Sequence, residues 1–167
     1  MTTHSPERLQ FNANKAALIH LVGNKALDDS TIDRLGHKLF ASWGGCFPSD
    51  RVKLLPYHYY VINTDPHDKP GLHWLGVFTT KACAYIWDSF GRPVKPLSYQ
   101  LIKTIHKRGF KIGKTDLVHH GEQIGFKSEV CGQDSLAWLL VVCLGHNART
   151  KHLINWSLIF CNSHILV

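Results

Sequence analysis

Apolar residues recur at Ile32, Leu35, Leu39 and Trp43, close to helical spacing, with polar and charged residues between them. Ser30 and Asp33 form an S-x-x-D capping pattern ahead of them. Asp28 and Asp29 add acids where the helix dipole is positive. Together these predict a helix over about Thr31–Trp43, ended by Gly44 and Gly45. Upstream, Lys15–Leu21 is apolar but short and leaves its conformation open. From Tyr57 the pattern becomes strand-like. Tyr57–Asn63, His73–Thr79 and Ala84–Trp87 are rich in aromatic and β-branched residues, and Thr64–Gly71 between the first two carries loop chemistry. The short link Thr80–Cys83 suits a hairpin between the second and third strands.

Further along, Ser98–Lys107 predicts a helix ended by Gly109, Asp116–His120 a strand, and Gly121–Gly125 a loop. Ser128–Leu144 gives the strongest helical signal. It is apolar on every side from Leu136 to Leu144, as a central buried helix is. The segment from His146 to Val167 is expected to pack at the periphery. The fold class expected is α+β: one domain, with a central, mostly antiparallel sheet packed on a buried helix.

Composition agrees with one folded domain of 167 residues, 44% hydrophobic and 19% charged. Nineteen Lys and Arg against twelve Asp and Glu give a formal charge of +7, a balance that attracts polyanions or simply solvates the surface. Five cysteines at irregular spacing contain no CxxC pair, so neither a zinc cage nor a redox dithiol is indicated, and no metal is expected. Free thiols point to a reducing compartment. The polar stretch Met1–Gln10 does not read as a secretion signal. No apolar run reaches the roughly 20 residues of a membrane span, so no membrane partner is expected.

Candidate chemistry centres on Cys131, at the expected start of the buried helix. There the dipole and free N–H groups favour a thiolate. Gly132 beside it would leave room for a substrate backbone. If strands 73–79 and 84–87 form a hairpin, His73 at the start of one lies beside Asp88 at the end of the other. A carboxylate there would fix the imidazole tautomer and stabilise the imidazolium that a thiolate needs. Taken singly, the three residues read equally as a surface histidine, a turn aspartate and a small buried hydrophobe.

The ordered set His73-Trp74, Trp87-Asp88-Ser89-Phe90-Gly91, Gln123 and Cys131-Gly132 resembles the adenovirus protease (adenain) family of viral cysteine proteases. The resemblance is closest to its adintovirus and Polinton branch. Gly45, Phe47, Asp50 and Pro56 are similar to an upstream segment of that branch, so the resemblance covers about residues 42–144. It implies a cysteine endopeptidase with His73 as base, Asp88 as its orienter and Cys131 as nucleophile. Gln123 and the Cys131 backbone would be oxyanion donors. Gln123 stands eight residues before Cys131, one more than in adenain, and Gln133 is a poor substitute because it points along the helix. Many resembling sequences carry a second Cys where this chain has Ser135, which is taken as structural.

The resemblance also implies substrates that are viral capsid or core precursors, cut at Gly or other small residues, and a location in the host nucleus and virion. The loops Trp43–Cys46 (with Gly44 and Gly45) and Pro70–Leu72 (with Gly71) are the expected lining of the substrate groove, and Trp74 is expected to pack beside the site. The chemistry requires no cofactor, but relatives are stimulated by DNA. Lys103, Lys107, Arg108, Lys111 and Lys114 form an acid-free cationic run that would suit DNA or be a solvated face. A ubiquitin-like-protein protease shares the residue order, although it usually has Asp before Cys-Gly where this chain has Val130. An inactive DNA- or capsid-binding protein on the same fold is the third reading.

Overall fold

The computed structural model describes residues 6–92, 94–113 and 129–147. Ten elements follow in chain order: α1 (Pro6–Val22), α2 (Asp29–Leu39), β1 (Trp43–Phe47), β2 (Tyr59–Asn63), β3 (Trp74–Thr79), β4 (Cys83–Trp87), the single turn α3 (Val94–Leu97), α4 (Tyr99–Lys107), β5 (Lys111–Ile112) and α5 (Cys131–Asn147). The expected strand 116–120, the loop 121–125, Gln123, Lys114 and the segment from 148 onward lie outside the described residues.

The strands form one sheet in sequence order. Its centre, β2-β3-β4, is antiparallel, and both edge strands pair in parallel, so the sheet is mixed. Period-two alternation divides it into two cores. Tyr60, Ile62, Leu75, Val77, Ala84 and Ile86 face one core with Leu101 and Ile105 of α4. Val61, Phe78 and Trp87 face the other core with α5, α1 and α2. The helix α5 is buried as its all-round apolarity demands, from Gly132 to Cys143. Gly76 lets it lie on β3: a Cβ there would sit 2.8 Å from the Trp138 ring.

The predicted helix 31–43 is shifted. It begins at Asp29 because Asp28, not Ser30, caps it, accepting the Thr31 N–H at 2.7 Å. It ends at Leu39, and Trp43 opens β1 instead. Trp43 matched helical spacing because its indole folds back over that helical face. It covers Gly36, where a Cβ would be 2.0 Å away, and donates Nε1–H to Asp33 Oδ1 at 2.8 Å. The undecided segment 15–21 belongs to the 17-residue α1. Its buried stripe is Phe11, Asn14 and Leu18, with a polar residue at its centre that donates to the Ala137 carbonyl.

Candidate active site

The β3–β4 ladder pairs Gly76 with Trp87 and Val77 with Ile86. Continued outward, this register sets His73 across from Phe90, and the two rings lie 5.3 Å apart. The Thr64 N–H donates to the His73 carbonyl at 2.9 Å, extending the β2–β3 ladder and fixing the His73 backbone. From there the buried imidazole reaches Asp88, with Nε2 2.5 Å from Oδ1. The hairpin therefore brings His73 and Asp88 together as its sequence suggests.

Beyond Asp88 the chain turns, with the Gly91 N–H donating to the Asp88 carbonyl at 2.9 Å. Gly91 sits at φ 68°, where a side chain would be strained. The turn delivers Arg92 back onto the same carboxylate. Its backbone N–H (3.0 Å) and Nε (2.9 Å) donate to Oδ2, and Nη2 reaches Oδ1 at 3.4 Å. The guanidinium also lies 4.6 Å over the Phe90 ring. Arg92 was not anticipated from sequence. The available signal was its place four residues after Asp88, directly behind a turn glycine.

Cys131 opens α5 and interacts with the His73 ring. Because Nε2 serves Asp88, Nδ1 is the nitrogen left for the thiol. The first helical bond of α5 runs from the Asp134 N–H to the Val130 carbonyl at 2.9 Å. The N–H groups of Cys131 and Gly132 thus lie in the first turn, without intrahelical acceptors. Burial alone would depress the His73 pKa, but its bonds to Asp88 and Cys131 outweigh it and hold the ring above its ordinary value. Burial alone would raise Asp88. The His73 and Arg92 donors win and hold it well below the usual carboxylate range. Cys46 shares the groove, but burial and then Asp29, Asp33 and Asp28 push its thiol far up, which disfavours the thiolate there.

These residues lie in a groove of about 980 Å³ that includes His73, Trp74, Cys131, Phe90 and Arg92. Cys46, Pro70, Gly71 and Leu72 line it as expected, but Trp43, Gly44 and Gly45 do not. Trp43 is buried on α2, and a Cβ on Gly44 would meet the Tyr60 ring at 2.1 Å, so both are committed to packing. The rest of the wall is formed by Phe47 and Pro48, by Ala26–Asp28 from the α1–α2 connection and by Asp29 at the start of α2. Gly132 is likewise a packing glycine rather than space for substrate. A Cβ there would meet Ile32 at 3.2 Å and Leu27 at 3.3 Å. Trp74 flanks the site and donates Nε1–H to the Leu27 carbonyl at 3.0 Å. Ser135 is buried and donates to the Trp74 carbonyl at 3.3 Å. Gln133 turns away from the groove, its amide nitrogen donating to the Gly23 and Lys25 carbonyls at 3.0 and 2.8 Å.

Lys103, Lys107, Arg108 and Lys111 are exposed and lie outside the groove, whereas Phe110, within that run, is buried in the core. Among the described residues no cluster of three or more His, Cys, Asp or Glu could hold a metal ion. Among them, too, no helix is long and apolar enough to cross a membrane. No protein-family model and no curated protein sequence matches the chain.

Proposed function

We propose that the protein is a cysteine endopeptidase with Cys131 as nucleophile, His73 as general base and acid, and Asp88 as the group that orients His73. The observation that carries the reading is the division of the His73 ring. Nε2 is held by a buried carboxylate, and the other nitrogen is left to a thiol at a helix start. In this reading the Cys131 thiolate attacks the scissile carbonyl carbon, and the Cys131 N–H helps to receive the oxyanion. His73 passes its proton to the leaving amine, leaving a thioester on Cys131. His73 then takes a proton from water, which attacks the thioester. The carboxylic acid leaves, and the Cys131 thiolate with the protonated His73 is restored.

By the resemblance of its motifs, the substrates are viral capsid or core precursors cut at Gly or other small residues. The test is cleavage of Gly-containing precursor peptides beside ubiquitin-like conjugates, with labelling by a peptide vinyl sulfone. Cys131→Ala is expected to lose both cleavage and labelling while keeping the thermal midpoint within a few degrees. Full activity in Cys131→Ala would sink the assignment. Exclusive cleavage of ubiquitin-like conjugates would redirect it to deconjugation. A folded wild-type protein that takes no label would leave only a binding role.

A further inference from the structure

The wall of the groove between α1 and α2 belongs to no helix or strand, yet side chains from both halves of the site tie it down. Gln133, two residues after Cys131, donates both amide hydrogens of Nε2, one to the Gly23 carbonyl at 3.0 Å and one to the Lys25 carbonyl at 2.8 Å. Trp74, next to His73, donates to the Leu27 carbonyl at 3.0 Å. The Gln133 side chain is fully buried, so its amide reaches these carbonyls from inside the fold. The carbonyls of Lys25 and Leu27 therefore point into the protein. The C=O and N–H of a trans peptide group point in opposite directions, so the Ala26 N–H, which shares its peptide with the Lys25 carbonyl, faces away from Gln133. Ala26 is exposed and lines the groove, and among the described residues no hydrogen bond engages its main chain. Asp28, just beyond this segment, is in extended conformation (φ −80°, ψ 166°).

We infer that residues 25–27 form a fixed edge on which the main chain of the substrate polypeptide hydrogen-bonds, through the Ala26 N–H. On this inference Gln133 is a positioning residue that acts through the edge on substrate binding rather than on the chemical step. It rests on the protease reading and specifies how that site takes its substrate. Recognition through main chain explains how an extended polypeptide is held without a deep side-chain pocket.

The test uses the full-length protein and a peptide that the wild type cleaves. Gln133→Met keeps the buried volume and removes both donors. Ala26→Pro removes the N–H at an exposed position and serves even if the buried variant folds poorly. Each is expected to raise KM about three- to tenfold, the worth of one main-chain hydrogen bond, with a smaller change in kcat. The rate at which iodoacetamide alkylates Cys131 should stay at the wild-type level. N-methylation of the peptide should be harmful at one position in the wild type and add nothing there in Ala26→Pro. An unchanged KM in both variants, or a fall in alkylation rate matching the loss of cleavage, would overturn the edge while leaving the protease reading standing. A wild type that cleaves no peptide would overturn both.

Discussion

Arg92 closes over the Asp88 carboxylate from one side while His73 reaches it from the other. Both carboxylate oxygens are occupied, and the side chain is 1% exposed. The carboxylate is thus fixed in orientation before any substrate arrives, which is how an orienting group acts on a catalytic imidazole.

Asp88→Asn turns one acceptor oxygen into a donor facing either the His73 ring or the Arg92 fork. The expected loss in kcat is on the order of 10⁴-fold, milder than that of His73→Ala. Arg92→Met should lower kcat by about tenfold, with only partial recovery in Arg92→Lys, because lysine cannot reproduce the fork. Its stability cost should stay under about 1 kcal/mol, since the Arg92 side chain is 41% exposed. Steady-state kinetics with thermal melts checks all three. Wild-type kcat in Arg92→Met would remove Arg92 from the catalytic arrangement.

The same pair sets a pH window. Asp88 has its pKa depressed below 3.8, so its stabilisation is full above that value and is lost as pH falls through the folded-state pKa. His73 has its pKa raised above 6.5, so its stabilisation is full below that value and is lost as pH rises through the folded-state pKa. The gap in thermal midpoint between wild type and Asp88→Asn should therefore be widest between pH 3.8 and 6.5 and narrow on both sides. The alkaline limb of peptide cleavage should lie above pH 6.5 in the wild type and move down in the variant, as the imidazolium loses its partner. A gap that is constant with pH would contradict the assigned pairing.

What the sequence made legible was whatever depends on local pattern and short connections. The β3–β4 hairpin, the buried α5 beginning at Cys131 and the approach of His73 to Asp88 all follow from alternation, a four-residue link and an apolar run. What it hid depends on distant partners. Asn14 sits mid-stripe on α1 because its partner is the Ala137 carbonyl of α5, so the amphipathic signal of α1 is weak. Trp43 imitated another helical turn because it packs on the helix it follows. The groove wall at Ala26–Asp29 has no periodicity at all, being held by side chains 47 to 110 residues away. Glycines misled for the same reason. Gly44 and Gly132 are small because Tyr60 and Leu27 press on them, not because substrate does.

Gly76 offers a check on how tightly the site depends on its scaffold. A methyl group at Gly76 would stand 2.8 Å from the Trp138 ring and 3.3 Å from the Ser135 carbonyl, between β3 and the first turns of α5. Gly76→Ala should cost about 1–3 kcal/mol by overpacking. It should lower cleavage as well, since relief requires α5, and Cys131 with it, to move off the sheet. Urea denaturation against peptide cleavage reads both, and a variant as stable as wild type would show that α5 has slack here.

The basic face gives the last expectation. Lys107 and Arg108 end α4, and Lys111 pairs its N–H with the Ala82 carbonyl, which brings the exposed Lys81 turn beside it. Phe110 is buried, so within this run only the exposed His106 ring is left to stack on a base, and binding would run mainly through phosphates. Contacts of that kind are sequence-independent and release counterions. Three to four of them give a slope of log K against log salt of about −3. Lys107→Glu with Arg108→Glu should reduce that slope by about two and leave DNA-free peptide cleavage unchanged, because neither residue lines the groove. Fluorescence anisotropy with duplex DNA at several salt concentrations makes the measurement. A flat dependence on salt would assign these charges to solvation alone.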